Sequence, residues 1–254
     1  MHENTVKKNL QSGRTVFGCF SRYANADLTE ALCLQGFDFV VLDGEHGTVE
    51  PGDCQDMTRA AELRRVTPIV RVPNNHLPAI PRYLDTGVQG VLVPMVNSPA
   101  QAEAVVQLAK YPPREQRGLA SCRAADFGQG PPLDQYVKFA NEQTLIIVQC
   151  ETTTAVEALP DIVKVDGVDV VFVGPTDLSQ SLGRTAQVQH AEVQDTIQRI
   201  ADIVTASEKV FGLMVGDIEE ARSWQRRGAR FISVNFESRL SAGCRPFLEA
   251  VRTD

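Results

Sequence analysis

Short, almost wholly apolar runs recur along the chain: Val16 to Phe20, Phe37 to Leu42, Pro68 to Val72, Val88 to Pro94, Leu145 to Gln149, Val168 to Val173, Val210 to Val215 and Arg230 to Val234. Runs this short, rich in Val and Ile and lacking polar alternation, read as strands buried on both faces, the kind found in parallel sheets covered by helices. Between most of them lie stretches of helical composition, at 25–35, 54–64, 99–109, 154–163, 192–207 and 218–227. Ser98-Pro99 is a helix start, because Ser can cap and Pro suits the first turn. Gly36, Gly87 and Gly228 stand just before strands, where the chain leaves a helix with φ > 0. Eight strands alternating with helices predict an α/β chain closed into an eight-stranded parallel β/α barrel.

The 254 residues suit one such barrel, so a single domain over 1–254 is expected. Tyr111 to Gln143, rich in Pro, Gly, Arg and Asp, is expected as a long loop with a role in function or subunit contact. A net charge of −7 with 6% aromatic residues gives neither a basic stripe nor a stacking surface, which argues against nucleic acid as a partner. Met1 to Gly18 holds Lys7, Lys8 and Arg14 but no long apolar stretch, so no signal peptide, membrane span or membrane partner is expected and a cytoplasmic location is the default. The six cysteines lack metal-ligand spacing and are expected to be reduced and structural. His2, His46, His76 and His190 are scattered, which argues against a zinc site built from histidines.

Polar residues at the ends of the apolar runs carry the candidate chemistry. Glu151 follows the fifth run and Asp177 the sixth, and carboxylates at neighbouring strand ends suit a hard divalent cation that keeps water or substrate oxygens in its other positions. Arg71 lies within the third run, and His46 follows the second in Leu42-Asp43-Gly44-Glu45-His46-Gly47, where an imidazole could exchange protons near neutral pH. Asp85, at the end of the third helix, is a candidate to orient it. Gly174-Pro175-Thr176 opens a helix whose amides could seat a substrate carboxylate, with Thr176 and Asp177 supplying the donors because Pro175 has none. Each residue has a plain alternative: Asp177 a helix cap, Glu151 a solvated loop acid, Arg71 a structural ion-pair partner, His46 a hydrogen-bonded histidine, Asp85 a helix-end acid. Their convergence on one mouth is the argument for a site.

These segments, together with Pro68 to Pro73, Gln149-Cys150-Glu151-Thr152, Gly167 to Ser179, Tyr111-Pro112-Pro113 and Arg117-Gly118, resemble the HpcH/HpaI aldolase family of metal-dependent pyruvate aldolases, from about Gly18 to Val234. The resemblance implies a TIM barrel of the phosphoenolpyruvate/pyruvate type. It implies a Mg²⁺, Mn²⁺ or Co²⁺ ion on Glu151 and Asp177, which binds a 2-oxo acid such as pyruvate, with Gln149 beside it. Arg71 would donate to the keto oxygen, and His46 paired with Asp85 would serve the aldehyde oxygen. The implied reaction is cleavage of a 4-hydroxy-2-oxo acid to pyruvate and an aldehyde. A homo-oligomer, commonly a hexamer with an exchanged C-terminal helix, is implied as well, and the segment after Asn235 is where to look for it. No lysine stands at a strand end, which argues against a Schiff-base aldolase. Departures fall on the acceptor side: Phe20 stands where relatives carry Trp, and Ser121-Cys122-Arg123 and Asn235-Phe236-Glu237 also differ. Phe20, Ser121, Met214 and Val215 are the acceptor-pocket candidates. Two other readings remain open: a citrate-lyase-type enzyme acting on a CoA thioester, whose basic surface only Arg114, Arg117 and Arg123 could offer, and a non-catalytic barrel that binds an oxo acid.

Overall fold

The apolar runs become eight parallel strands: β1 Val16–Ser21, β2 Phe39–Asp43, β3 Thr67–Arg71, β4 Gly90–Val93, β5 Leu145–Cys150, β6 Val170–Val173, β7 Val210–Met214 and β8 Phe231–Asn235. Each pairs with the next and β8 returns to β1, closing the barrel. This computed structural model describes residues 1–73, 78–113 and 115–252, so His76 and Arg114 lie outside the described residues. The helices among those residues are α1 Thr5–Gln11, α2 Ala26–Cys33, α3 Pro51–Leu63, α4 Ala79–Leu84, α5 Pro99–Ala109, α6 Leu133–Gln143, α7 Thr153–Ile162, α8 Pro175–Ser181, α9 Ala191–Thr205, α10 Ile218–Arg226 and α11 Phe236–Val251. None is long and apolar enough to cross a membrane.

The predicted stops and starts hold for a local reason. Ser98 accepts from the Gln101 amide at 3.2 Å with Pro99 in the first turn, and Gly36, Gly87 and Gly228 take φ of 92°, 100° and 95°. The expected loop 111–143 is corrected: it contains a 3-10 segment, Arg123–Gly128, and α6. Because it joins the C-terminus of α5 to the start of β5, it lies at the N-terminal end of the barrel.

Alternate residues of each strand face opposite ways, and the two faces form separate cores. Val40, Leu42, Val70, Val91, Val93, Ile146, Val148, Val171, Val173, Phe211, Leu213 and Ile232 pack outward against the helices. Inward, Val16, Phe20, Phe39, Val41, Ile69, Leu92, Leu145, Ile147, Val170, Phe172, Val210 and Phe231 fill the barrel. Phe39 and Phe231 stack there at 4.1 Å between ring centroids. Space for those rings comes from glycine: a Cβ on Gly18 would sit 2.1 Å from the Phe39 ring. Val6 and Leu10 of α1 join this inner cluster and cork the N-terminal end. Asn4 holds the cork in place by donating to the carbonyls of Gln89 and Gln143, both at 2.9 Å.

Candidate functional site

Followed one step further up the strands, the inward positions of β2, β3 and β5 change from apolar to polar, while β6, β7 and β8 lead to Gly174, Met214 and Asn235. Val41 is succeeded by Asp43, Ile69 by Arg71, Ile147 by Gln149, Phe172 by Gly174, Gly212 by Met214 and Ser233 by Asn235. Above this layer opens a cavity of about 250 Å³, lined by Arg22, His46, Arg71, Gln149, Phe172, Gly174, Pro175, Thr176, Asp177, Met214 and Asn235. It lies at the C-terminal mouth, where β/α barrels carry their chemistry.

Arg71 is fixed from two sides. Its Nε and Nη2 donate to the two oxygens of Asp43 at 2.9 and 2.6 Å, and Nη1 lies 3.2 Å from Glu45. The Phe20 ring supports the guanidinium from below, 5.1 Å from Cζ. Asp43 also accepts the amides of Glu45 and His46 at 3.0 and 3.2 Å, so one buried carboxylate shapes the loop and aims the arginine. Burial alone would push the Asp43 carboxyl up, but the hydrogen bonds and charge of Arg71 and the two amides outweigh it and hold it below the usual range. Burial likewise raises Glu45, opposed by Arg71.

Glu151 is buried rather than a solvated loop acid. Its Oε1 accepts from the Met95 amide at 2.8 Å, and its Oε2 touches Gln149 Nε2. Met95 reaches this position with φ +54°, a left-handed conformation that a methionine rarely adopts. Burial pushes the Glu151 carboxyl up to about 7; the Met95 bond opposes this, and the charges of Asp177 and Glu45 add to it. Asp177 sits in the first turn of α8, whose N-cap is Gly174. A Cβ on Gly174 would lie 2.6 Å from Gln149 Nε2, 2.6 Å from Glu151 Oε2 and 3.6 Å from Asp177 Oδ2. The missing side chain thus lets both carboxylates and the amide converge.

This donor set fits a hard divalent cation. Two carboxylates face one space, and the buried Gln149 Oε1 has no partner among the described residues. No group of three or more His, Cys, Asp or Glu residues with ligand geometry occurs among the described residues, so any ion here would take its remaining ligands from water or substrate oxygens.

The structure brings His46, Arg71, Gln149, Gly174, Pro175, Thr176, Asp177 and Met214 to the cavity, with Glu151 behind Gly174. Asp85 is not among them. It caps the C-terminus of α4 ahead of β4, at the other end of the barrel, where it accepts from Arg117 at 2.8 Å. Beside the half-exposed His46 the acidic neighbour is Glu45, 3.9 Å away. Ser121 is also displaced, since its loop folds over the N-terminal end with Arg123 on the Thr86 carbonyl. Val215 points outward into the helix layer, one residue out of phase with Met214. Phe20 is fully buried and serves as floor beneath Arg71 rather than as open wall. Arg117 and Arg123, pairing with Asp85 and Glu62, form no basic surface at the mouth. Sequence reasoning passed over Arg22, although it stands at a strand end, noted Asn235 only within a departure on the acceptor side, and left Asp43 and Glu45 without roles.

A model of the HpcH/HpaI aldolase/citrate lyase family matches residues 16–242. Among curated proteins, the chain is 39% identical to a hydroxypyruvate/pyruvate aldolase of Roseobacter denitrificans, covering 91% of this chain and 90% of the relative. It is 36% identical to a 4-hydroxy-2-oxovalerate aldolase of Rhodococcus jostii, covering 94% and 92%. Among solved structures, an aldolase/citrate lyase family protein from Burkholderia cenocepacia superposes with a TM-score of 0.93 at 30% identity, covering 98% of this chain and all of the other.

Proposed function

Because the chain belongs to the HpcH/HpaI aldolase/citrate lyase family, we propose that it is a divalent-metal-dependent aldolase that reversibly cleaves a 4-hydroxy-2-oxo acid to pyruvate, or a related 2-oxo acid, and an aldehyde. The observation that carries this reading is the convergence of Glu151, Asp177 and the Gln149 amide nitrogen around Gly174, with Gln149 Oε1 buried and unpartnered and a pre-aimed arginine on the same cavity. Glu151 and Asp177 would hold a Mg²⁺, Mn²⁺ or Co²⁺ ion, which when bound supplies Lewis-acid polarisation of the 2-oxo group.

The remaining work belongs to side chains of the protein. Arg71 stabilises the negative charge that grows on the keto oxygen when a proton passes from C3 of the oxo acid to a water at the solvent-open mouth. It is held by Asp43 and Glu45 before substrate arrives, so no reorganisation is needed during the reaction. Gln149 Oε1 offers a fixed acceptor to a donor hydroxyl or a water. The amides of Thr176 and Asp177 at the start of α8 seat the substrate carboxylate. C3 then bonds to the aldehyde carbon, and the aldehyde oxygen takes a proton; cleavage is the reverse. His46, between the cavity and solvent, is the group placed to give and recover that proton. Chemistry of this type suits a barrel of the phosphoenolpyruvate/pyruvate type acting in the cytoplasm. A homo-oligomer, the hexamer expected from the family, is supported by α11, which buries none of its residues and exposes Leu240, Phe247, Leu248 and Val251.

The test needs no knowledge of the aldehyde. Exchange of the pyruvate methyl protons in deuterated water is followed by NMR, first with chelated protein and then with Mg²⁺, Mn²⁺ or Co²⁺. Metal-dependent exchange, lost in Glu151→Ala and Asp177→Ala, is the expected result. Absence of exchange with all three ions, on folded protein, would overturn the proposal in favour of a non-catalytic barrel.

A further inference from the structure

The turn after β4 is a segment at the mouth whose shape the proposed chemistry does not explain. It runs from Pro94 to Ser98, the N-cap of α5, and is left-handed at Met95, φ +54°. A methionine keeps that conformation only where neighbouring bonds over-determine it. Here the Val96 amide donates to the Gln149 carbonyl at 3.4 Å and the Asn97 amide to Gln101 Oε1 at 2.6 Å. The Asn97 side chain completes the hold, since its Oδ1 accepts the hydroxyl of Thr152, the residue after Glu151. The same hydroxyl oxygen accepts the Ala155 amide at 3.0 Å and caps α7.

Turn and strand end are thus joined by two adjacent bonds, Met95 to Glu151 and Asn97 to Thr152. The first, at 2.8 Å, occupies Glu151 Oε1 on the side of the β4 turn. The other oxygen, Oε2, lies 2.6 Å from the point where a Cβ on Gly174 would stand, with Asp177 Oδ2 3.6 Å from the same point. One carboxylate oxygen is therefore held by backbone and the other is offered to the cavity. We propose that Asn97 and Thr152 are positioning residues whose bond keeps Met95 left-handed, so that Glu151 presents Oε2 alone and the site favours small octahedral ions such as Mg²⁺ and Mn²⁺ over Ca²⁺. The larger oxygen shell of Ca²⁺ accommodates a bidentate carboxylate, which this arrangement withholds. The inference rests on the metal-dependent reading above. Without the Asn97 bond, Met95 relaxes to an ordinary φ and withdraws its amide, and Oε1 is released to turn towards the cavity beside Oε2.

The test is calorimetry of Mn²⁺ and Ca²⁺ binding, beside thermal melts, on wild type, Asn97→Ala, Thr152→Val and Thr152→Ser. Asn97→Ala deletes the bond but leaves the α7 cap in place, Thr152→Val deletes both, and Thr152→Ser keeps both. Wild type is expected to bind Mn²⁺ more tightly than Ca²⁺. In Asn97→Ala and Thr152→Val, Mn²⁺ affinity is expected to fall roughly tenfold, the lower end for groups that orient a metal ligand, with Ca²⁺ affinity unchanged or raised. Tm is expected to fall further in Thr152→Val, which also loses the cap, and Thr152→Ser to match wild type in affinity and Tm. Wild-type Mn²⁺ affinity in Asn97→Ala, an equal loss for both ions, or a loss confined to Thr152→Val overturns the assignment. Wild type that binds no Mn²⁺ removes the metal-dependent reading and this inference together, whereas wild type that binds it with Asn97→Ala indistinguishable refutes the Asn97 and Thr152 role alone.

Discussion

Replacing Asp43 by Asn tests the idea that one buried carboxylate both aims Arg71 and shapes the loop carrying His46. The variant keeps the volume and an oxygen for the amides of Glu45 and His46, but turns one acceptor of Arg71 into a donor. Removing one partner of a buried ion pair costs about 3–5 kcal/mol. Glu45, 3.2 Å from Nη1, retains part of the compensation, so the lower end applies. A loss of about 3 kcal/mol corresponds to a fall in Tm of roughly 6–12 °C for a chain of this size. Urea denaturation followed by circular dichroism at pH 7.5 reads it directly, as a lower midpoint at unchanged slope. The pH dependence carries a definite sign. Asp43 has a folded pKa below its unfolded one, so its contribution is complete above the ordinary Asp value of about 3.9 and is lost as pH falls through the folded value. The gap between wild type and variant is therefore expected to close in acid. Repeating the substitution in an Arg71→Leu background should shrink the penalty by about 2 kcal/mol, because the partner is already gone. A penalty below about 1 kcal/mol, or one indifferent to Arg71, would refute the reasoning.

Two further outcomes follow from the carboxylate end of the cavity. Gly174→Ala places a methyl 2.6 Å from both Gln149 Nε2 and Glu151 Oε2; weaker Mn²⁺ binding by at least tenfold, measured by calorimetry on protein that melts cooperatively, is expected, and wild-type affinity would mean the cradle is not the ion's seat. Glu151, raised to about 7, must lose its proton to ligate; Mn²⁺ affinity should rise by up to tenfold per pH unit below about 7 and level off above it, while a flat profile between pH 5.5 and 7 would remove Glu151 from the ligand set.

The barrel was legible because burial on both faces leaves an unbroken apolar signature, and Glu151, Asp177, Arg71, Gln149 and His46 were legible because they end or follow those runs. Two residues lie away from the mouth of their own chain for one reason. Asp85 and Ser121 were grouped with the mouth by motif, yet each lies on a connection running from a helix into a strand, and such connections sit at the opposite end of the barrel. Chain order alone would have separated them from His46. Val215 failed by a single step of strand parity, which the inward series Val210, Gly212 and Met214 could have settled. The contribution of Met95 left no trace in the sequence, since nothing marks a methionine for a left-handed backbone. Arg22 obeyed the strand-end rule and was missed because the first run drew notice to Phe20 instead.

The cork formed by α1 bears on how the molecule comes to exist. Asn4 bonds to Gln143, 139 positions later, and Arg230 reaches the Leu10 carbonyl at 3.3 Å across 220 positions. The segment that seals the barrel floor is thus synthesised long before most of the walls it must fit. On the ribosome Val6 and Leu10 lack the last of their inner-core neighbours, Val210 and Phe231, until β7 and β8 have emerged, so the cylinder can close around its plug only near the end of translation.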